Sequence, residues 1–369
     1  MTQANHLPVD REPRVWLLLA EKLGDNAQVR ALADALPWKS EIRNIRMKPD
    51  FQIGKPQFVP SLDHLDRHAC DPIEPPWPDV LITIGRRPSM VALWIKERSP
   101  STRIVLVGRP KRWLEQFDLV VAPPQYDMPP AANVYRLHLP LMRADREKVA
   151  QAANVWRHRL ADMPRPLTAV LVGGQTRPFR FDAAAGGELA GRLRDVVDRD
   201  GGSLYLTTSR RTGQAVTHAL ARDLPERSRI YRFGEDPSED NPYHALLGLA
   251  DRFVVTGDSV SMQVEVAGLG KPLAIYPLPL DNKLRIHPQR WLARLLAPGT
   301  VLGDLLRRSG LAGYGRDLTG FHERLYRSGL AVRLGEPFRE PSTSVADEVD
   351  GAAAAVCALV GAACAGQAG

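Results

Sequence analysis

The sequence predicts an α/β protein built from two doubly wound domains. Short continuous apolar runs bounded by Gly, Pro or Asp alternate with amphipathic stretches, as strands buried on both faces alternate with the helices that cover them. The alternation runs once to about residue 143 and restarts after the proline-bounded MPRP, Met163–Pro166. A chain of 369 residues with 44% hydrophobic and 25% charged content also suits two soluble domains of ordinary composition.

The elements follow in order. VWLLLA, Val15–Ala20, reads as a strand, EKLGDN (Glu21–Asn26) as a loop, AQVRALADAL as a helix, and SEIRNIRM as a second run. Residues 48–78 hold seven prolines and no clear period, which predicts a long surface insertion. The rhythm resumes with DVLITIG (Asp79–Gly85), helix-like SMVALWIKE, RIVLVG (Arg103–Gly108) and FDLVVAP (Phe117–Pro123). NVYRLHL and a charged helix, RADREKVAQAANVWRHRLAD, lead into the second series. That series reads TAVLVGG, helical AAAGGELAGRLRDVVDR, SLYLTTS, helical TGQAVTHALARDL, RIYRF, NPYHALLGLAD, RFVVTGD, SVSMQVEVAGL and KPLAIYPL. The expected division is a Rossmann-like domain over 1–143, a second over 144–310, and a helical extension over 311–369. The two domains are expected to face each other across a cleft. The Ala-rich end of the extension suits close packing back onto the first domain, with a disordered tail as the alternative.

Composition narrows the function classes. Cys70, Cys357 and Cys364 form no CxxC pair and support neither a disulfide framework nor a zinc ribbon, so a reducing cytoplasm is expected. The polar start, MTQANHLPVDREPR, does not read as a signal peptide, and the apolar runs are of strand length. The net charge of +7 and pI near 9.4 suit phosphate-bearing ligands or an anionic membrane surface. No stripe of basic and aromatic residues points to nucleic acid. No GxGxxG follows a strand, because Gly268-Leu269-Gly270 runs into Lys271-Pro272, and the glycine and hydroxyl of a P-loop are missing. His64, His68 and Cys70 have ligand-like spacing but no distant partner, so no metal is expected.

Ligands of open α/β sheets sit outside the carboxyl ends of the strands, which directs attention to the loops. Gly173-Gly174-Gln175-Thr176-Arg177 follows AVLV; its glycines suit close backbone approach to a phosphate, or a turn needing positive φ. Thr207-Thr208-Ser209-Arg210-Arg211-Thr212 follows SLYL and reads as a phosphate clamp, or as a helix cap with solvated arginines. In VTGDSVSMQVEV, Asp258 or Ser259 would cap a helix starting near Val260, while Ser261 and Glu265 share one face. Glu265 there could accept two hydrogen bonds from a vicinal diol, solvation being the alternative. In the first domain, Gly24 permits a turn, Asp25 or Asn26 can cap, and Asp25 and Glu21 are candidate proton acceptors. Gly85-Arg86-Arg87 forms a cationic loop that could meet an anionic substrate.

GGQT, SRRT, DNPY (Asp240–Tyr243) and VTGDSVSMQVEVAGLGKPLAIYPL together resemble the mitochondrial-fission family founded on the plant elongated-mitochondria protein. The resemblance spans roughly Val15 to Leu280 and is most specific in the second domain; Arg/Ala/Pro-rich usage suggests a bacterial member. The family is similar to GT-B glycosyltransferases. The resemblance implies that Glu265 holds a ribose, that Gly257–Ser261 and Met262 face a diphosphate, and that Asn241 and Tyr243 join the nucleotide site. It thereby implies a metal-independent glycosyltransferase taking a sugar from a nucleotide-sugar, with no further cofactor. A nucleotide-sugar epimerase on the same fold and a non-catalytic recruiting scaffold stay open. Finally, Arg109-Pro110-Lys111-Arg112-Trp113 and a cluster of Trp38, Lys39, Arg43, Arg46 and Lys48 suit an anionic bilayer. They predict a cytoplasmic protein peripheral to the inner face of the membrane and an acceptor that is lipid-linked or membrane-embedded.

Overall fold

The structure is a computed structural model that describes residues 11–53, 56–126, 128, 130–142, 144–176, 179–235, 240–281, 300, 306, 316–342 and 348–361. The chain divides into two compact units. The first comprises Met1–Met142, Gln289–Asp317 and Asp347–Gly369; the second comprises Arg143–Pro288 and Leu318–Ala346.

In the first unit, β1 (Val15–Leu19), β2 (Ser40–Asn44), β3 (Val80–Ile84), β4 (Arg103–Val107), β5 (Leu119–Ala122) and β6 (Val134–Arg136) form one sheet in the order β2-β1-β3-β4-β5-β6. Every pairing is parallel, as in Val15↔Val80 and Val80↔Arg103. Strand β1 is buried at all five positions, whereas β2, at the edge, is only half covered. That contrast is why the central strands read as unbroken apolar runs. Helix α1 (Leu23–Asp34) and the last helix, α10 (Glu348–Leu359), cover one face; Val29, Leu32, Ala352, Ala353 and Val356 share a core with β1. Small side chains on α10 permit this. At Gly351 a Cβ would overlap the Tyr135 hydroxyl.

The opposite face is covered by α3 (Arg86–Arg98) and by residues of the proline-rich segment, which also holds the short α2 (Pro49–Ile53). Phe58, Leu62 and Leu65 of that segment are buried in the core, and Met47 bridges Leu65. The segment expected to be a surface insertion over 48–78 is therefore part of the core. It packs through turns, which leave no helical or strand period to read. Cys70 is a free thiol that exchanges hydrogen bonds with the Arg46 backbone, and Cys357 on α10 is disulfide-bonded, a bond the sequence did not predict.

In the second unit, α4 (Arg146–Trp156) precedes β7 (Leu167–Leu171), α5 (Ala183–Asp200), β8 (Ser203–Thr207), α6 (Gln214–Asp223) and β9 (Ser228–Tyr231). Helix α7 (Tyr243–Leu249), β10 (Arg252–Thr256), α8 (Val260–Gly268), β11 (Leu273–Tyr276), α9 (Leu318–Arg327) and β12 (Val332–Arg333) complete it. The sheet order is β12-β11-β10-β7-β8-β9, again all parallel. Counted from β7, this is the 3-2-1-4-5-6 order of dinucleotide-binding sheets. The expected single extension over 311–369 is instead divided. Leu318–Ala346 completes the second unit, where Val332 pairs with Ala274, whereas Gln289–Asp317 before it and the stretch from Asp347 belong to the first. Both sheets reverse strand order beside their first strand, between β1 and β3 and between β7 and β10, and those switch points are where loops converge. No helix among the described residues is long and apolar enough to cross a membrane.

Candidate functional site

At the switch point of the second sheet, the loops after β7, β8 and β10 meet around one carboxylate. Asp258 is almost wholly buried. It accepts hydrogen bonds from the Gly174 amide (2.8 Å) and the Thr256 hydroxyl (2.7 Å), and its ion pair with Arg211 spans 3.3 Å. The Gly173 amide in turn donates to Thr256 Oγ1 at 2.8 Å. Burial pushes the Asp258 carboxyl above its ordinary range, and those donors oppose the shift.

This cluster explains the paired glycines. A Cβ on Gly173 would stand 2.7 Å from Asp258 Cγ, and one on Gly174 would stand 2.5 Å from Arg211 Cβ. Neither glycine adopts a positive φ, so the need is for close approach of loop to loop. Gln175 staples its own loop: its Nε2 donates to Phe179 O (2.7 Å) and its Oε1 accepts from Phe181 N (2.8 Å). Thr176 Oγ1 accepts from Arg211 Nη1 at 3.2 Å. Arg177 lies outside the described residues.

The hydroxyls of the β8 loop are likewise internal. Thr208 Oγ1 accepts from the Phe233 amide at 2.9 Å. Thr212 Oγ1 donates to Gly173 O (2.6 Å) and accepts from the Ser209 amide (2.9 Å). Arg210, by contrast, is exposed and makes no ion pair among the described residues. Of the residues read from the sequence as a clamp, Arg210 and much of Arg211 are exposed, while the hydroxyls bind the loops to one another.

Helix α8 begins with Ser259 at its N-cap, and neither Ser259 nor Asp258 caps it by side chain. The expected cap is absent because Asp258 is turned inward to the Gly174 amide. The first amides of α8 therefore keep their capacity to meet an anion. Ser261 and Met262 are half-buried on this turn. One turn on, Glu265 accepts a hydrogen bond from the Tyr243 hydroxyl. Burial pushes Glu265 up, with the Tyr243 bond pulling it back, while burial and the Glu265 charge push the Tyr243 phenol well above its ordinary value. The phenol stays a donor, and three acceptor positions remain on the carboxylate. Asn241 serves the backbone instead, its Oδ1 accepting from the Tyr243 amide (3.0 Å) at the start of α7.

Two residues beneath this turn escaped the sequence reading. Gln263 Nε2 donates to Thr256 O at 3.1 Å, and His322 on α9 meets Gly257 O at 2.9 Å through Nε2. A Cβ on Gly257 would stand 2.8 Å from His322 Cε1, so this glycine also serves close packing. Nothing local in the sequence marks His322, because its partner is a backbone carbonyl far along the chain.

At the switch point of the first sheet the structure encloses a cavity of about 580 Å³. Lys22, Asp25 and Gln28 enter it from the loop after β1 and from α1, Gly85 and Arg86 from the end of β3, and Arg109 and Lys111 from the end of β4. Helix α1 starts at Leu23, so Gly24, Asp25 and Asn26 lie in its first turn and not in a loop. Its N-cap, Lys22, makes no side-chain cap, and Asn26 Nδ2 donates back to Ala20 O at 2.7 Å, so the capping expected of Asp25 or Asn26 does not occur. Burial pushes the Asp25 carboxyl up, against Lys22 and Arg316. Glu21 is exposed and does not line the cavity.

Gly85 caps α3 with φ +93°, a conformation that favours glycine. Arg86 donates to Pro56 O and stacks 5.7 Å over Phe58. Arg87 follows it in the first turn of α3, and His64 is buried nearby, its proton affinity lowered by burial. Among the described residues, no group of three or more His, Cys, Asp or Glu could hold a metal ion. The Arg109–Trp113 loop does not form one basic-aromatic surface: Arg109 and Lys111 line the cavity, while the Trp113 ring packs 5.5 Å from Phe58 in the core.

Fold and loops together define a two-unit, doubly wound α/β protein with a polar loop cluster at each switch point. The chain belongs to the mitochondrial fission ELM1 family, whose sequence model matches residues 23–302. It is 24% identical over 305 residues to an uncharacterized protein of Rickettsia prowazekii (strain Madrid E), covering 73% of this chain and 85% of that one. It is 28% identical over 222 residues to the mitochondrial fission protein ELM1 of Arabidopsis thaliana, covering 54% of this chain and 51% of the plant protein. Among solved structures it is similar to the UDP-GlcNAc 2-epimerase of Methanocaldococcus jannaschii (TM-score 0.47, 10% identity, covering 94% of this chain and 99% of the other). A glycosyl transferase family 9 structure from Veillonella parvula is also similar (TM-score 0.36, 12% identity, covering 75% and 84%). These likenesses carry no activity over to this chain.

Proposed function

We propose that this protein is a glycosyltransferase that takes its sugar from a nucleotide-sugar bound at the switch point of the second unit. The observation that carries the reading is Glu265: a half-buried carboxylate, fixed by the Tyr243 hydroxyl, one helical turn beyond the uncapped start of α8. A carboxylate so placed suits the vicinal hydroxyls of a ribose, and the α8 amides with Arg210 suit the diphosphate. Stabilising the leaving diphosphate by amides and guanidinium requires no metal. In the same proposal an acceptor is held by the first unit, and Asp25 takes the proton of its hydroxyl. Burial raises the Asp25 pKa, which makes its carboxylate a stronger proton acceptor. Glu21, the runner-up for that role, is exposed and is not among the described residues lining the cavity.

A second reading, a binding protein without catalysis, is favoured by one observation. Arg211 braces Asp258 and Thr176, so its presence does not by itself imply a phosphate clamp. A thermal-shift screen against UDP-, GDP-, CMP- and ADP-sugars tests the donor assignment, since a ligand that binds the native state raises the melting temperature. The proposal expects one of the four to stabilise the protein, and no response to any would overturn it. Release of free nucleotide in the presence of acceptor then separates transfer from binding alone.

A further inference from the structure

Among the described residues lining the first-unit cavity, positive charge exceeds negative. Lys22, Arg86, Arg109, Lys111 and Arg316 stand there with one described carboxylate, Asp25, which pairs with Lys22; Lys111 also has a partner, which leaves the three arginines as the cations that matter here. Arg316 reaches it because its backbone bridges that of Tyr126, and Arg109 and Arg316 both stack on the Tyr126 ring, at 5.0 and 5.8 Å. Two guanidinium groups are thus gathered on one phenol ring. Neither makes an ion pair among the described residues, and Arg86 Nη1 is buried without a hydrogen-bond partner. Burial first, and the neighbouring Arg316 after it, lower the proton affinity of Arg109, with Tyr126 opposing them. Cations left so close together in a cavity of about 580 Å³ mark a place where an anion completes the structure.

We propose that this cavity binds a phosphate-bearing ligand, with Arg86, Arg109 and Arg316 contacting the phosphate. The excess of cations over the single carboxylate matches a multiply charged phosphate or diphosphate better than a lone carboxylate. Planar guanidinium forks also fit phosphate oxygens in pairs. The volume leaves room for the group that carries the phosphate, with Asp25 beside it. Joined to the proposed function, this makes the acceptor a phosphorylated molecule; the binding itself does not depend on that reading.

The test is calorimetric titration of the full chain with inorganic pyrophosphate. Parallel titrations use Arg109→Ala, Arg316→Gln and, as a control in the second unit, Arg211→Ala, each checked for native circular dichroism. Loss of one charge-assisted contact should weaken binding roughly tenfold or more in each first-unit variant. Arg211→Ala should keep this affinity, and binding should weaken as salt is raised. Arg109→Lys, which keeps the charge, should retain more affinity than Arg109→Ala.

Co-sedimentation with phosphatidylcholine vesicles, with or without phosphatidic acid, identifies the carrier. Capture that needs phosphatidic acid and is lost in Arg109→Ala places the phosphate on a lipid headgroup. Pyrophosphate binding without capture places it on a soluble molecule. Unchanged affinity in both first-unit variants, or loss confined to Arg211→Ala, would overturn the proposal. A Glu265→Gln variant that still binds nucleotide-sugar would instead count against the donor assignment and leave this one standing.

Discussion

The two switch points occupy the same place in their sheets and are filled in opposite ways. In the second unit the loops close on themselves: Gly173, Gly174, Thr256 and Arg211 all converge on the buried Asp258, and Thr212 and Ser209 tie the next loop to them. In the first unit the loops surround a cavity whose cations far outnumber Asp25, and Arg109 and Arg316 are held by stacking on Tyr126. Strand order decides where loops meet. Internal charge balance decides whether the meeting place is rigid by itself or incomplete until a ligand arrives. In the second unit the loops bond to one another, and under the proposed function the start of α8 and Glu265 are left to meet the ligand.

Glycine substitutions should separate the two regions most strongly. Gly174→Ala forces a methyl against Arg211, and overpacking of this kind costs about 1–3 kcal/mol. Gly24→Ala meets open space in the first turn of α1 and should be neutral or stabilising by about 0.5–1 kcal/mol. Urea unfolding followed by circular dichroism measures both; equal effects would break the contrast. A smaller difference is expected at the two aspartates. Asp258→Ala strands the buried Gly174 amide and should cost about 1–3 kcal/mol. Asp25→Ala removes a 3.9 Å pair with the exposed Lys22 and a longer-range attraction to Arg316, and should cost about 0–1 kcal/mol. If the two cost the same, Asp258 is not the fastening point.

The smallest effect is a pH slope. The folded-state pKa of Glu265 is raised, so the protonated form is favoured on folding. Its contribution to stability is fully present below its ordinary value, about 4.3, and is lost as pH rises through the raised value. Glu265→Gln should therefore make the fall in stability from about pH 4 toward neutrality shallower. An unchanged slope in urea midpoints across that range would show that Glu265 is not held in a desolvated site.

Much of the fold could be read because strands buried on both faces leave unbroken apolar runs, such as Val15–Leu19 and Leu119–Ala122. The proline-rich segment misled because Phe58, Leu62 and Leu65 reach the core from turns. Candidate site residues were found by position after strands, which drew attention to Asp258, Glu265 and Arg211. Their individual roles were not legible. Whether Gly173 admits a ligand or a neighbouring loop depends on where Asp258 points, and Gln175 and Asn241 turn out to satisfy backbone groups of their own loops. Lys22, Tyr126 and Arg316 were missed because their shared cavity is made by distant segments with no common motif.

The central claim, that Glu265 anchors a nucleotide, is tested most directly by calorimetry. Wild-type protein and Glu265→Gln are titrated with whichever nucleotide-sugar stabilises the native state. The Gln variant keeps the shape and the Tyr243 neighbour but loses the charge, so affinity should fall roughly tenfold to a hundredfold, about 1.5–3 kcal/mol. Equal affinity in the two proteins would contradict the assignment.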